Sequence, residues 1–189
     1  MARQTEVVLL LILALAAAAS ADVENPLSEG YFDQLVQEAM KQTGVMPCLG
    51  CCPLGWVKYN GYCYSYHSSN MDWASAEKHC LKLNANLMSV HSQNDYLMAK
   101  ALIRAFDPVE PPTWIGLSNC QKRNEWFWSD GTKVTFTKWN PNEPNFRNGE
   151  CCVHMNWGTQ RDWNDIPCDQ KFPFLCAKKL TETLTSSVM

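Results

Sequence analysis

The residues best suited to chemistry lie in the stretch 140–165, where oxygen-bearing side chains are crowded. They fall in three groups, at residues 140–145, 148–150 and 162–165. Carboxylate and amide oxygens, with no evident set of histidines or thiolates beside them, favour a hard cation, and calcium accepts about six to eight oxygens from irregular loops. A cis bond between Glu143 and Pro144 would turn the side chains of Glu143 and Asn145 toward one point. The alternative is a polar surface loop rich in turn residues, which composition alone favours.

The N-terminus has the three parts of a secretory signal peptide, in residues 1–21. Arg3 precedes an unbroken apolar run over residues 7–19, and Ala19-Ser20-Ala21 supplies a cleavage site after Ala21. The run is about thirteen residues long and a bilayer span needs roughly twenty, so a membrane anchor is disfavoured. We therefore expect a secreted, extracellular protein whose ten cysteines oxidise to as many as five disulfides.

Composition and charge exclude several classes of function. The 189 residues suit one domain with an appendage, and sixteen basic against nineteen acidic residues give a formal charge of −3. This balance is too small to favour nucleic-acid binding or electrostatic attachment to a membrane. No phosphate-binding loop, zinc pattern or nucleophile with a base occurs, so an enzyme is disfavoured. No histidine stands at metal-ligand spacing from another; the four are His67, His79, His91 and His154.

After the signal peptide the chain divides into three parts: a leader (residues 22–47), one compact domain (residues 48–179) and a flexible tail (residues 180–189). The compact domain holds all ten cysteines and all eight tryptophans. In the leader, apolar residues at three-to-four spacing predict a short amphipathic helix over residues 31–41, which Ser28 caps and Gly44 ends. A helix this short is marginal alone in water, so its apolar stripe must pack on the domain or on another chain. A propeptide or a loose arm is the alternative.

The pattern within the domain predicts an α+β fold. Residues 56–66 alternate, and the Asn-Gly pair inside them favours a β-hairpin. Two helices follow, over residues 72–83 with Asp72 as the N-cap and over residues 92–106 with Ser92 as the N-cap. Short strands are then predicted at residues 113–117, 126–128, 134–139, 151–155 and 172–178. Two helices followed by a run of strands favour an α+β arrangement over βαβ units.

A series of short motifs runs in fixed order along residues 52–178. They are Cys52-Pro-Leu-Gly-Trp56, Cys63-Tyr64, Trp73-Ala-Ser-Ala-Glu77, Cys80, Trp114-Ile-Gly-Leu117, Trp126-Phe-Trp-Ser-Asp-Gly131, Glu143-Pro144-Asn145, Glu150, Cys152, Trp163-Asn164-Asp165, Cys168 and Phe174-Leu-Cys176. Their order and spacing resemble a C-type lectin-like domain, and in particular the fish secreted C-type lectins and the type II antifreeze proteins. The resemblance implies a disulfide-linked fold of two helices and short antiparallel strands, with a long calcium-binding loop.

The resemblance also implies a function for that loop. One calcium ion would be held by Glu143, Asn145, Glu150, Asn164 and Asp165. The same residues would bind two neighbouring hydroxyls of a sugar, because carboxylates accept hydrogen bonds and amide nitrogens donate them. In the family, Glu-Pro-Asn goes with mannose-type sugars and Gln-Pro-Asp with galactose, so the Glu-Pro-Asn of this chain implies a mannose-type preference. A second calcium site is not implied, since Phe146 and Cys151 stand where carboxylates would be expected.

Four disulfides are implied by the same resemblance: Cys80–Cys176, Cys152–Cys168, Cys52–Cys63 and Cys120–Cys151. The last of these resembles an extra bridge of type II antifreeze proteins. A further bridge of that group is not expected, because Asn140 and Asp162 stand near where its cysteines would be. Cys48 and Cys51 form a C-x-x-C pair without the βαβ context of a redox site, so a small local bridge or links to another chain are expected instead.

Three functions remain open on this fold. The first is a calcium-dependent lectin that recognises glycans on cell or microbial surfaces in innate immunity. A single shallow site binds weakly, so the leader helix, Cys48 and Cys51 are candidate means of homo-oligomer assembly. The second is an ice-binding antifreeze protein, and the third is a relative whose calcium site serves folding only. Four residues beside the site are candidate ligand contacts: Phe146, Arg147, Asn148 and Trp157.

Overall fold

The computed structural model describes residues 27–41 and 51–180. The predicted signal peptide, the segment that contains Gly44 and Cys48, and the tail beyond residue 180 lie outside the described residues. Three α-helices lie in the described part: α1 (Glu29–Lys41), α2 (Trp73–Lys82) and α3 (Gln93–Phe106). The strands there are β1 (Val57–Tyr59), β2 (Tyr62–Met71), β3 (Asn86–Leu87), β4 (Thr113–Ser118), β5 (Phe127–Trp128), β6 (Cys152–Trp157), β7 (Asp162–Ile166) and β8 (Phe172–Lys179). The α+β class is confirmed.

The described strands form one sheet, in the order β1-β2-β8-β4-β6-β7, with β3 paired to β8 and β5 paired to β4. The pairing of β4 with β8 is parallel and the other strand pairs are antiparallel. The first two strands form the predicted hairpin, in which Val57 lies opposite Tyr64. The last hairpin, β6 with β7, carries Asn164 and Asp165 to one end of the sheet.

Both helices of the domain begin at the predicted caps. The backbone N–H of Ser75 donates to Asp72 Oδ1 at 2.9 Å, and that of Asp95 donates to Ser92 Oγ at 3.1 Å. Residues 96–103 of α3 are all buried, because α3 lies between α1 and the sheet. This central helix therefore forms much of the hydrophobic core.

The leader helix α1 packs on the chain's own domain. Phe32 and Val36 are fully buried, and the ring centroids of Phe32 and Tyr59 lie 5.2 Å apart. Arg104 on α3 donates from Nε and Nη2 to Asp33 Oδ1 at 3.2 and 3.1 Å. Burying the side chains of Phe32 and Val36 contributes about 3–6 kcal/mol to the free energy of unfolding, before the entropy of ordering the helix is subtracted. The centre of the apolar stripe is thus covered within the chain, while Tyr31 and Met40 at its margins stay exposed.

The predicted strand over residues 134–139 does not form. Trp139 makes an isolated parallel bridge to Trp163, and the rest of the segment has no ladder. Its side chains nevertheless pack on the core, as the ring of Phe136 lies 6.0 Å from that of Trp163. Alternating apolar residues indicate one buried face, but they do not show whether a neighbouring backbone is available for pairing.

Four disulfides join the described segments: Cys52–Cys63, Cys80–Cys176, Cys120–Cys151 and Cys152–Cys168. The second ties α2 to β8 across 96 residues of sequence, and in the chain-entropy account a loop of that length stabilises by roughly 4–5 kcal/mol. The fourth ties the start of β6 to the segment after β7, close to the site loop. Cys51 is also disulfide-bonded, and Cys48 lies outside the described residues.

Candidate functional site

The loop between β5 and β6 is fixed to the sheet near its middle by Asn140, just before the site residues. Its backbone N–H donates to Trp163 O at 2.9 Å, and its Nδ2 donates to Trp157 O at 2.8 Å. The Glu143–Pro144 bond that follows is cis. A 3-10 turn at Arg147–Gly149 then leads the chain toward β6. The loop is therefore held against the β6–β7 hairpin, which carries the remaining site residues.

Asp165 on β7 is the central anchor of the site. Its side chain is fully buried, and its Oδ1 and Oδ2 each accept a hydrogen bond at 2.9 Å, from the backbone N–H groups of Asn145 and Phe146. Hydrogen bonds to a charged carboxylate are worth about 1.5–3 kcal/mol, more than those between neutral groups. One carboxylate thus binds the Glu-Pro-Asn segment to the sheet.

Three further predicted residues join this anchor through the loop. Asn145 Nδ2 donates to Glu143 Oε2 at 2.7 Å. The backbone N–H of Arg147 donates to both Asn145 Oδ1, at 3.0 Å, and Glu150 Oε2, at 2.9 Å. The structure therefore brings Glu143, Asn145, Glu150 and Asp165 together in one hydrogen-bonded group.

Asn164, the fifth predicted residue, is positioned differently. It precedes Asp165 on β7 and is buried, and its Nδ2 lies 3.1 Å from Nε2 of His154 on the neighbouring strand β6. Burial lowers the pKa of His154 to about 4, so the imidazole is neutral at physiological pH. No role for His154 is predicted from the sequence, because a lone histidine in a strand pattern gives no signal of its cross-strand partner.

The electrostatics of the loop fit a bound cation. Partial burial, and then the neighbouring carboxylate of Asp165, raise the pKa of Glu143 to about 7. Burial also raises the pKa of Glu150, although the Arg147 backbone hydrogen bond and charge oppose this. Within residues 27–41 and 51–180, no lysine or arginine forms an ion pair with these three carboxylates. Carboxylate and amide oxygens that repel one another and lack a basic partner are a donor set suited to a hard cation such as calcium.

The aromatic residues near the site differ in exposure. Phe146 is half-buried, with its ring stacked 6.0 Å from that of Trp126 and the guanidinium carbon of Arg123 5.4 Å from its centroid. Trp157, at the end of β6, is 46% exposed. Of the two aromatic candidates for ligand contact, Trp157 presents more surface to solvent.

Four cysteine sulfurs beside the loop lie within 4.8 Å of one another: Cys120, Cys151, Cys152 and Cys168. This spacing could suggest a thiolate metal site. However, the four are paired in two disulfides and have no thiolate to offer. Their role here is to fix the chain directly after Glu150 and shortly after Asp165.

Comparison with known proteins identifies the class. Residues 69–178 match the family described as Lectin C-type domain, and the chain belongs to that family. It is 42% identical over 140 residues to "Lactose-binding lectin l-2" of Anguilla japonica, covering 71% of this chain and 82% of that protein. It is 39% identical over 130 residues to "Type-2 ice-structuring protein" of Osmerus mordax, covering 69% of this chain and 73% of that protein.

Solved structures give the same result. The structure described as "Ca2+-dependent type II antifreeze protein (Ca2+-free form)" is similar with a TM-score of 0.64 and 38% identity, covering 68% of this chain and all of that one. The chain thus shares its fold and family with both lectins and antifreeze proteins. No helix in the described part of the chain is long and apolar enough to cross a membrane.

Proposed function

We propose that this protein is a secreted, calcium-dependent lectin with a preference for mannose-type sugars. The observation that supports this most is the hydrogen-bonded group of Glu143, Asn145, Glu150 and Asp165, gathered by the two backbone hydrogen bonds that Asp165 accepts. These residues, with Asn164, would hold one calcium ion, which when bound supplies an anchor for two neighbouring sugar hydroxyls.

The preference for mannose rests on the order of acceptor and donor in the loop. Ionised Glu143 only accepts hydrogen bonds, whereas Asn145 offers an amide that also donates. An acceptor followed by a donor suits one arrangement of two vicinal hydroxyls. Gln-Pro-Asp, with a donor followed by an acceptor, would suit the opposite arrangement. The lactose-binding relative makes a galactose-type sugar the first rival ligand, so both sugars belong in the test.

Retention on immobilised sugars tests the proposal. We expect the protein to bind a mannose column in calcium, to pass through a galactose column, and to leave the mannose column with a chelator. Asn164→Asp is expected to weaken retention, because it changes a site amide to a carboxylate, while Asn124→Asp makes the same change in an exposed loop and is expected to have no effect. Retention on galactose alone would change the sugar assignment. Failure to bind calcium would overturn the whole proposal.

Secretion and assembly complete the proposal. The N-terminal 21 residues would direct the chain to the secretory pathway, where the disulfides form. Weak single sites would act together on glycans of cell or microbial surfaces only in an assembly. The exposed side of α1, with Tyr31 and Met40, is a candidate contact for that assembly, whereas Cys51 is already disulfide-bonded. Non-reducing and reducing electrophoresis of the purified protein would show whether chains are joined by disulfides.

A second candidate function is ice binding. It is supported by the Cys120–Cys151 bridge and by the similarity to the ice-structuring protein of Osmerus mordax. Thermal hysteresis of freezing, measured with and without calcium, separates it from the lectin proposal. Hysteresis together with no retention on either sugar column would favour ice binding.

A further inference from the structure

His154 occupies a place in the core where an apolar residue would be expected. Its side chain is fully buried on β6, directly opposite Asn164 in the β6–β7 register. The imidazole stacks on the ring of Phe172 at 5.1 Å and meets the edges of Trp114 and Trp157 at 5.9 and 5.6 Å. Three aromatic rings therefore surround one polar ring.

The hydrogen bonding of this imidazole is one-sided. Nε2 lies 3.1 Å from Asn164 Nδ2, whereas Nδ1 is buried and makes no hydrogen bond of good geometry among the described residues. A buried polar atom without a partner costs folding free energy, which a phenylalanine at this position would avoid. A phenylalanine at this position could fill the core but could not make the contact with Asn164. This contact therefore indicates that His154 does more than pack in the core.

We propose that His154 is a positioning residue that fixes the side-chain amide of Asn164 for cation and sugar binding. Because Asn164 Nδ2 can only donate, the Nε2 atom that faces it accepts the hydrogen bond, and Oδ1 at the opposite end of the amide is the end left for a cation. If the amide were rotated by half a turn, its NH₂ group would face the cation and repel it. This inference rests on the proposed calcium site and adds the residue that orients one of its ligands.

The chain offers a closely matched control in His67. Its imidazole also stacks on a phenylalanine, Phe174, at 4.9 Å, and its Nε2 lies 2.9 Å from Ser65 Oγ. His67→Phe and His154→Phe therefore each remove an imidazole hydrogen bond beside a stacked phenylalanine, partly buried at His67 and buried at His154. Only the hydrogen bond of His154 ends on a residue of the proposed calcium site, Asn164.

In His154→Phe we expect calcium affinity to fall without a loss of stability in the calcium-free protein. His154→Phe is expected to weaken calcium binding by about 10–100-fold, the usual effect of losing a partner that orients a metal ligand. Its unfolding temperature in chelator should stay the same or rise. His154→Gln, which can still accept from Asn164 Nδ2, should retain more of the affinity, and His67→Phe should leave it unchanged. Wild-type calcium affinity in His154→Phe would overturn the inference.

A measurement on the calcium-free wild type gives an independent readout. Nitrogen-15 NMR of the imidazole should show a neutral ring that carries its proton on Nδ1, with Nε2 accepting a hydrogen bond from the Asn164 amide. A proton on Nε2 would mean that the amide is reversed, and this would overturn the inference even if His154→Phe failed to fold. Failure of the proposed function is distinguishable, because then wild type itself would not bind calcium or Glu143→Gln would bind it normally.

Discussion

Glu143→Gln should have opposite effects on stability with and without calcium. In the calcium-free protein, partial burial and Asp165 hold the pKa of Glu143 near 7, compared with 4.5 for a free glutamate. Below pH 4.5 the carboxyl is protonated in both folded and unfolded chains. As pH rises from 4.5 to about 7, the unfolded chain loses this proton first, so the folded state loses stability. Glutamine does not ionise, so the Glu143→Gln variant does not lose stability in this way as pH rises.

The size of the effect follows from the same shift. A pKa raised from 4.5 to about 7 corresponds to about 3 kcal/mol. Glu143 is only partly buried, and solvent screens its interaction with Asp165, so about 1–2 kcal/mol is a realistic figure. At pH 8 without calcium we therefore expect Glu143→Gln to be the more stable form, by a few degrees in unfolding temperature. At pH 5 the difference should largely disappear.

Unfolding followed by tryptophan fluorescence, in metal-free buffer from pH 5 to 8, measures this difference directly. Glu38→Gln, an exposed change on α1, is the matched control and should show no such pH-dependent difference. With calcium added, wild type should become the more stable protein, because the variant binds the ion weakly. A Glu143→Gln protein that is less stable than wild type at pH 8 without calcium would refute the reasoning.

Three further predictions concern the anchor, the sugar preference and the leader. Asp165→Asn should abolish tight calcium binding and cost about 1–3 kcal/mol in unfolding, since an amide cannot accept both backbone hydrogen bonds; normal calcium titration would contradict this. Glu143→Gln combined with Asn145→Asp should move retention from the mannose to the galactose column, and unchanged retention would place specificity elsewhere. Phe32→Ala should lower stability by about 3–5 kcal/mol by opening a cavity under α1, whereas the exposed Tyr31→Ala should change it little. Equal losses for these two variants would contradict the docking of α1.

Local signals in the sequence predicted the helices well. The caps Asp72 and Ser92 act through hydrogen bonds to residues three positions later, which a reader of the sequence can see directly. The leader helix was likewise visible in its apolar spacing. Its docking on the domain cannot be predicted in the same way, because Phe32 and Val36 are buried against segments more than twenty residues away, and no local pattern encodes that contact.

The features that could not be predicted from the sequence are those that depend on backbone pairing between distant segments. Residues 134–139 alternate as a strand does, yet the segment makes only one isolated bridge, between Trp139 and Trp163, so it packs without joining the sheet. The contact of His154 with Asn164 depends on the register of β6 against β7, and a shift of one residue would turn the histidine to the other face. The site residues were visible as a cluster of oxygen donors, but the residue that orients one of them was not.

A crystal structure of the protein with calcium and a methyl mannoside tests the central claim most directly. We expect one calcium ion, bound by Glu143, Asn145, Glu150, Asn164 and Asp165, with two vicinal hydroxyls of the sugar on the same ion. Calcium at another place, or a mannoside bound away from these five residues, would contradict it.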